Sequence, residues 1–278
     1  MIDPFLIQGP AVISFSGGRT SGYMLWRILQ AHGGRLPDDV IVTFANTGRE
    51  MPGTLYFVNE CQEQFNAPVV WLEYDRPNGK PGYKIVSHNS ASRGGEPFEL
   101  LGSAKPTLPN PVQRFCTIEL KIRTIKRFVV AEYGWKHWAS VVGLRADESV
   151  RVVKARGPQR DRWHNLCPLY DAGIEEIDVL RFWRKQTFNL MLSGSWEGNC
   201  DGCFLKSKAA ISRMFADHPD RMKWWADMEA KKHGVGAGGT FRADRPPYAE
   251  IAALTEAQGV LPFEVDHAVS CEDGYCGV

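Results

Sequence analysis

Short apolar runs alternate, in the first half of the chain, with segments whose apolar residues recur at helical spacing. The runs predict strands over residues 11–15, 40–44, 69–74 and 138–143. The helical spacing predicts helices from residue 22 to about 32, over 52–65 and over 116–133. Strands that alternate with helices are typical of an α/β fold, in which a mainly parallel sheet carries helices on both faces.

The second half of the chain is predicted to be mainly helical, with helices over residues 175–185, 208–217 and 219–232. We therefore expect an α/β domain over 1–170, with an irregular insert at 76–115 that is rich in proline, glycine and asparagine. A helical region follows over 171–240. The last part, 241–278, is predicted to be a loop-rich tail with two cysteines.

Polar loops that contain glycine follow three of the four predicted strands, over residues 16–21, 46–50 and 143–148. Ligands of parallel sheets bind at the carboxyl ends of the strands. We therefore expect these three loops to surround one site.

The first of these loops has the composition of an anion site. Residues 14–21 read Ser-Phe-Ser-Gly-Gly-Arg-Thr-Ser, directly before a predicted helix. Gly17 and Gly18 allow positive φ, the N–H groups of a helix N-terminus attract anions, and hydroxyls add donors. The spacing matches neither the Walker pattern nor the dinucleotide pattern. An ordinary polar turn remains the alternative.

The other two loops carry further candidate ligands of a nucleotide. Asn46, Thr47 and Gly48 suit either a helix N-cap or a position beside a bound nucleotide. Arg145 and Arg151 follow the fourth strand and could clamp a phosphate or sulfate, because a guanidinium binds such oxyanions bidentately. Local ion pairs in a solvated loop are the alternative.

Composition narrows the class of protein. The chain has 278 residues, of which 44% are apolar and 23% charged, with a net charge of +1. These values are typical of a soluble globular protein that needs no polyanionic partner. No apolar run approaches the roughly 18 residues of a membrane-spanning helix, and the first residues lack the features of a signal peptide. We expect a cytoplasmic protein.

Seven cysteines are present, an odd number that favours metal binding or redox chemistry over a disulfide framework. Cys200 and Cys203 form a Cys-x-x-Cys pair that suits zinc, an iron–sulfur cluster or a redox dithiol. Cys116 begins a predicted helix, where a thiolate is stabilised. These three thiolates fit a [4Fe-4S] cluster with one open iron better than a closed zinc site. Cys167 is either a fourth ligand or buried.

The remaining cysteines have other expected roles. Cys61 lies on the apolar side of a predicted helix and is expected in the core. Cys271 and Cys276 lie in the tail, where they could be a mobile nucleophile, a redox pair or metal ligands.

Taken together, these segments resemble the phosphoadenosine phosphosulfate (PAPS) reductase family, within the PP-loop superfamily of adenine-nucleotide α-hydrolases. The matching segments occur in the order of the family and cover about residues 10–210; they are 14–21, 44–50, 114–121, 143–148, 168–170 and 199–204. The resemblance implies a Rossmann-like fold with an adenine nucleotide in the crevice at the strand ends. The residues expected to bind it are Ser14, Ser16, Gly17, Gly18, Arg19, Thr20, Ser21, Asn46, Thr47, Gly48, Gly143, Arg145 and Arg151.

The chain departs from the family at two places. Phe115-Cys116 stands where cluster-bearing reductases have two adjacent cysteines, and the tail around Cys271 and Cys276 lacks the nucleophile motif of the family. The candidate cofactors are a [4Fe-4S] cluster on Cys116, Cys200, Cys203 and Cys167, ATP or adenylyl sulfate, and Mg²⁺.

The resemblance implies reductase-like sulfur chemistry as the leading function. A thiolate of Cys276 or Cys271 would attack the sulfur of adenylyl sulfate, and thioredoxin-like thiols would release sulfite. Lys121 and Arg145 would hold the sulfate and phosphate at the catalytic centre.

The alternative is ATP-dependent, cluster-dependent thiolation of tRNA, DNA or a small molecule with release of pyrophosphate. Basic and aromatic residues interleave over 206–232 and could contact a nucleic acid, although acidic residues there favour a solvated face. A sulfur donor and a second copy of the chain are the other expected partners, and no membrane is expected. A third class is a nucleotide-binding regulator or a cluster-based sensor without enzyme activity.

Overall fold

The computed structural model describes residues 3–158, 161–232 and 238–259. These residues form a six-stranded sheet in the order β4-β3-β2-β1-β5-β6, in which the neighbours are parallel except for the antiparallel pair β3 and β4. The strands are β1 (Ala11–Ser14), β2 (Val40–Asn46), β3 (Val69–Asp75), β4 (Gly82–Val86), β5 (Trp138–Val141) and β6 (Trp163–Leu166). The α/β prediction is confirmed.

Helices cover both faces of the sheet and form a separate layer toward the C-terminus. They are α1 (Arg19–Ala31), α2 (Pro52–Gln64), α3 (Glu96–Ser103), α4 (Thr124–Phe128), α5 (Ser149–Ala155), α6 (Pro168–Asp171), α7 (Glu176–Trp183), α8 (Lys208–Asp217), α9 (Pro219–Lys231) and α10 (Tyr248–Gln258). Two π-helical segments, Thr117–Arg123 and Val129–Tyr133, flank α4 and continue it in both directions. Within the described residues, no helix is long and apolar enough to cross a membrane.

The structure differs from the prediction at three places. The insert at 76–115, predicted as irregular, contains the edge strand β4 and the helix α3. The tail from residue 241, predicted as loop-rich, contains α10. Strand β6 was not predicted. Both β4 and β6 are short edge strands, and pairing with β3 and β5 rather than a local apolar run defines them.

The two faces of the sheet pack against different helices. On one face, side chains such as Ile13 and Val42 pack with α1, α2 and α7. On the other face, Val12 and Trp138 pack with Phe128 of α4. Burial on both faces explains why the strands read as nearly continuous apolar runs.

The C-terminal helices share a core with strand β3 and helix α3. Trp225 of α9 and Tyr248 of α10 are buried together with Phe241, Phe98 of α3 and Tyr74 of β3. Within this core, Glu229 accepts hydrogen bonds from the backbone N–H groups of Phe241 (3.0 Å) and Tyr248 (2.6 Å), and burial raises the pKa of its carboxyl.

Glu119 anchors the helix of residues 117–133. Its carboxylate accepts hydrogen bonds from Arg123 and from Arg127, the latter at 2.7 Å. Burial raises the pKa of Glu119, but the hydrogen bonds from Arg127 and Arg123 outweigh burial, so the pKa lies below its usual value.

We predict that Glu119→Gln lowers the free energy of unfolding by about 1 kcal/mol at pH 7. The pKa is lower in the folded than in the unfolded chain. The stabilisation is therefore present above the unfolded value of about 4.3 and is lost as the pH falls through the folded value. Urea denaturation of wild type and variant at pH 7 and at lower pH measures this difference.

The matched control is Glu256→Gln on the exposed side of α10. It should leave the free energy of unfolding within about 0.5 kcal/mol of wild type. A Glu119→Gln effect that persists unchanged at acid pH would show that the carboxylate charge is not its source.

Candidate functional site

A cavity of about 390 Å³ lies at the carboxyl ends of the strands and continues between the sheet and the helix of residues 117–133. The loops after β1 and β5 line its mouth, with Ser14 and Ser16–Ser21 on one side and Gly143, Arg145 and Arg151 on the other. Glu50 of the loop after β2 also lines the cavity, so each of the three loops expected at one site contributes to it.

Gly17 shapes the loop after β1. Its φ is +83°, and a Cβ at this position would lie 2.8 Å from Cγ2 of Thr54, so glycine is required twice over. Gly18 has φ −98° and does not use the left-handed region that the sequence suggested. The Oγ atoms of Ser16 and Ser21 lie 3.0 Å apart, and Ser21 also donates to the carbonyl oxygen of Gly18.

Arg19 lines the cavity and also hydrogen-bonds a segment that is distant in sequence, around Asn189 and Leu190. Its Nε donates to Oδ1 of Asn189 at 2.9 Å, and its Nη2 donates to the carbonyl oxygen of Leu190 at 2.8 Å. Leu190 and Leu192 in turn line the cavity. The guanidinium therefore holds one wall of the site.

Arg145 connects the two loops at the cavity mouth. Its guanidinium bonds Asp147 at 3.0 Å, and its Nη1 donates to Oγ1 of Thr20 at 3.2 Å. The hydrogen bond from Arg145 lowers the pKa of Asp147. Arg151 forms an ion pair with Glu148. The two predicted oxyanion clamps thus lie at the cavity, each beside a carboxylate.

Lys121 and Glu50 face each other in the cavity wall. Glu50 is 3% exposed, and its Oε2 accepts hydrogen bonds from the N–H and the hydroxyl of Thr47 at 2.9 and 2.8 Å. Its Oε1 is buried, accepts no hydrogen bond from the described residues, and lies 3.8 Å from Nζ of Lys121. The ammonium group of Lys121 is therefore held at the site by a buried carboxylate.

Asn46, Thr47 and Gly48 shape the loop after β2 and are not among the cavity-lining residues. Asn46 is fully buried; its Nδ2 donates to Glu73 at 2.6 Å, and its Oδ1 accepts from the N–H of Gly48. Thr47 bonds the carboxylate of Glu50. Thr47 therefore positions Glu50, and none of these three residues forms the cavity wall itself.

A buried ion pair that the sequence analysis missed holds the Cys-x-x-Cys loop. Asp201 is 0% exposed and accepts hydrogen bonds from Arg49 (2.6 Å), Arg221 (2.8 Å) and Nε1 of Trp225 (2.7 Å). Arg49 also lies 4.8 Å from the ring centre of Trp224. Nothing in the local pattern around Asp201 distinguishes it from a solvated aspartate, since its partners lie far away in sequence.

The predicted cluster ligands do not form a metal site within the described residues, which contain no group of three His, Cys, Asp or Glu suited to hold a metal ion. Cys167 is buried among Val142, Leu144, Val152 and Ala155, and burial raises its pKa. The described thiols therefore do not fit a [4Fe-4S] cluster that includes Cys167.

The three other predicted thiols lie near the helical core. Cys116 and Cys200 pack against it, Cys203 is 7% exposed, and Sγ of Cys200 lies 3.3 Å from Oγ1 of Thr47. Cys61 is buried in the main core as predicted, and burial raises its pKa. The predicted nucleophiles, Cys271 and Cys276, lie outside the described residues.

The basic and aromatic stretch over 206–232 is less exposed than its composition suggests. Trp225 is 1% exposed and Lys206 is 2% exposed. Nζ of Lys206 donates to the carbonyl oxygens of Trp196 and Gly198 at 2.6 and 2.5 Å. These two side chains are used inside the protein and are not available to a nucleic acid.

No family model matches the chain. Nin region protein ORF290 of Escherichia phage lambda is 32% identical over 206 residues, which cover 72% of this chain and 67% of the phage protein. The chain belongs to the family of this phage protein. Protein MJ0066 of Methanocaldococcus jannaschii is 22% identical over 242 residues, which cover 84% of this chain and 44% of the archaeal protein. The chain thus spans less than half the length of that relative.

Among solved structures, a similar one is the U34-tRNA thiolase NcsA from Methanococcus maripaludis with its [4Fe-4S] cluster. The TM-score is 0.40 and the identity 16%, with 89% of this chain and 71% of that chain covered. Membership of the PAPS reductase family itself stays a prediction from the motifs.

We predict that Asp201→Asn lowers the free energy of unfolding by about 3–5 kcal/mol, because the buried Arg49 and the partly buried Arg221 would remain beside a neutral group. Urea denaturation at neutral pH measures the change.

Asp217→Asn is the matched control, since Asp217 also pairs with an arginine, Arg213, but on a partly exposed helix surface. Its expected effect is about 0.2–1 kcal/mol. Equal effects of the two substitutions would contradict a special role of Asp201.

Proposed function

We propose that this protein is an ATP-dependent sulfurtransferase of the PP-loop type. ATP would bind in the cavity and adenylate an oxygen of the acceptor, pyrophosphate would leave, and a sulfur nucleophile would then displace AMP. The observation that carries the proposal is the glycine turn at the start of α1, which opens into a cavity whose lining includes the cationic residues Lys121, Arg145 and Arg151.

The loop after β1 is the candidate phosphate site. The N–H groups at the start of α1 and the hydroxyls of Ser16, Thr20 and Ser21 would donate to phosphate oxygens. The cavity volume of about 390 Å³ falls within the range of about 300–1,000 Å³ that is typical of small-molecule sites. A nucleotide therefore matches the site in size and in chemistry.

Lys121, Arg145 and Arg151 would stabilise the charge that develops on the departing pyrophosphate. Each already has a fixed position, because each pairs with a carboxylate. Mg²⁺ would neutralise phosphate charge, and Oε1 of Glu50 is its candidate protein ligand, because Mg²⁺ is commonly held by one or two carboxylates together with substrate phosphates.

Sulfur as the second nucleophile is the finer part of the proposal. Asn199 lines the cavity and Cys200 follows it directly, so a thiol lies next to the cavity wall. The acceptor carries an oxygen that ATP can adenylate. It is either a nucleobase of tRNA or DNA, or a small molecule.

Reduction of adenylyl sulfate is the second candidate function. Arg145 and Arg151 lie at the cavity, where they could hold a sulfate. Its predicted nucleophiles, Cys271 and Cys276, belong to the segment outside the described residues.

We predict that the wild type binds ATP and that Lys121→Gln weakens this binding about tenfold to a hundredfold, through loss of a charge-assisted hydrogen bond. Isothermal titration calorimetry measures both affinities. Lys223→Gln, on the exposed surface of α9, is the matched control and should bind ATP as the wild type does.

Product analysis separates the two candidate functions. Formation of AMP and pyrophosphate from ATP, in the presence of an acceptor and a sulfide source, supports sulfur transfer. Absence of ATP binding, together with sulfite release from adenylyl sulfate that is lost in Cys276→Ser, would replace this proposal by reduction.

A further inference from the structure

The cavity extends well below the loops that would hold phosphates. On the sheet face toward α4, Ser140 of β5 pairs in register with Asn165 of β6, and Trp138 pairs with Trp163 one row deeper. All four side chains line the cavity. Since a strand rises about 3.3 Å per residue, the Trp row lies roughly 13 Å below Val142, which directly follows β5.

Asn165 is the unusual group in this inner part. The residue is 7% exposed, and its Nδ2 donates to the carbonyl oxygen of Ala155 at 2.8 Å. Its Oδ1 is buried and accepts no hydrogen bond from the described residues. Because the amide nitrogen is committed to Ala155, the oxygen is fixed as an acceptor without a donor. Buried acceptors in native proteins are rarely left in this state.

The walls around Asn165 suit a flat ring. The rings of Trp138 and Trp163 are stacked, with centroids 5.4 Å apart and an interplanar angle of 25°. Ile125 lines the opposite side, and Nζ of Lys126 lies 5.5 Å from the ring centroid of Trp163. The inner cavity therefore combines apolar walls with one fixed acceptor.

We infer that Asn165 selects the base of the bound nucleotide by accepting a hydrogen bond from the 6-amino group of adenine. The inference rests on the proposed function, since it requires phosphates at the loop after β1. A 6-oxopurine would place a carbonyl oxygen against Oδ1 of Asn165, and the fixed amide could not turn to donate without losing its bond to Ala155. The site therefore selects a 6-aminopurine over a 6-oxopurine.

Thr43 offers a matched comparison within the same cavity. It lies on β2, on the other side of β1 from Asn165, and is 1% exposed. Its Oγ1 also lacks a hydrogen-bond partner among the described residues, and the residue lines the cavity. A base placed on that side would depend on Thr43 instead of Asn165.

The experiment measures dissociation constants of ATP, ITP and inorganic tripolyphosphate by calorimetry for wild type, Asn165→Leu and Thr43→Val. The wild type should bind ATP about tenfold or more tighter than ITP. Asn165→Leu should weaken ATP binding about three- to tenfold, leave tripolyphosphate binding unchanged, and bind ITP no more weakly than the wild type does. Thr43→Val should change none of the three.

Retained tripolyphosphate binding by Asn165→Leu shows that the phosphate site of the variant is folded. ATP binding that is unchanged in Asn165→Leu, or a loss that appears in Thr43→Val instead, overturns the inference and leaves the proposed function standing. Equal affinity of the wild type for ATP and ITP overturns it even if the variant does not fold. A wild type that binds neither ATP nor tripolyphosphate overturns both proposals.

Discussion

The site depends on the ion pairs that the buried carboxylate of Asp201 forms with two arginines. It joins the loop after β2 through Arg49, the helix α9 through Arg221 and Trp225, and its own Cys-x-x-Cys loop. A buried charge is tolerated only when its partners are in place, so these segments have one relative arrangement. Arg221 also donates to the carbonyl oxygen of Glu50. The position of Glu50, and with it that of Lys121, therefore follows from this ion pair.

The cations of the cavity are already paired before any ligand arrives. Lys121 lies against Glu50, and Arg145 and Arg151 lie against Asp147 and Glu148. These carboxylates keep the cationic side chains in fixed positions, which lowers the ordering cost of binding. They also compete with phosphate oxygens for the same donors. The affinity for an anionic ligand therefore depends on the difference between the contacts that the cations make with phosphate oxygens and those that they make with the carboxylates. Removal of one carboxylate removes a competitor of the phosphate and also the group that holds the cation in position.

The described thiols lie in two kinds of surroundings, and only one of these suits the sulfur-transfer step of the proposed chemistry. Cys61 and Cys167 are enclosed in apolar cores, where a thiolate is costly. Cys200 lies instead beside Thr47, next to the loop that carries Glu50. The proposed binding of a nucleotide is therefore supported by a formed cavity. The proposed sulfur transfer is supported by the position of one thiol, that of Cys200, beside this cavity.

The sequence by itself determined the central strands, the helices between them and the glycine turn at the start of α1, because these follow from local periodicity and local backbone preference. It also predicted that the loops after β1 and β5 lie together, because the carboxyl ends of parallel strands lie at the same edge of the sheet. Tertiary structure alone decided the edge strands β4 and β6, the partners of Asp201, and the fixed amide of Asn165. Each of these is defined by contacts between residues far apart in sequence, and no local pattern encodes the distance between such residues.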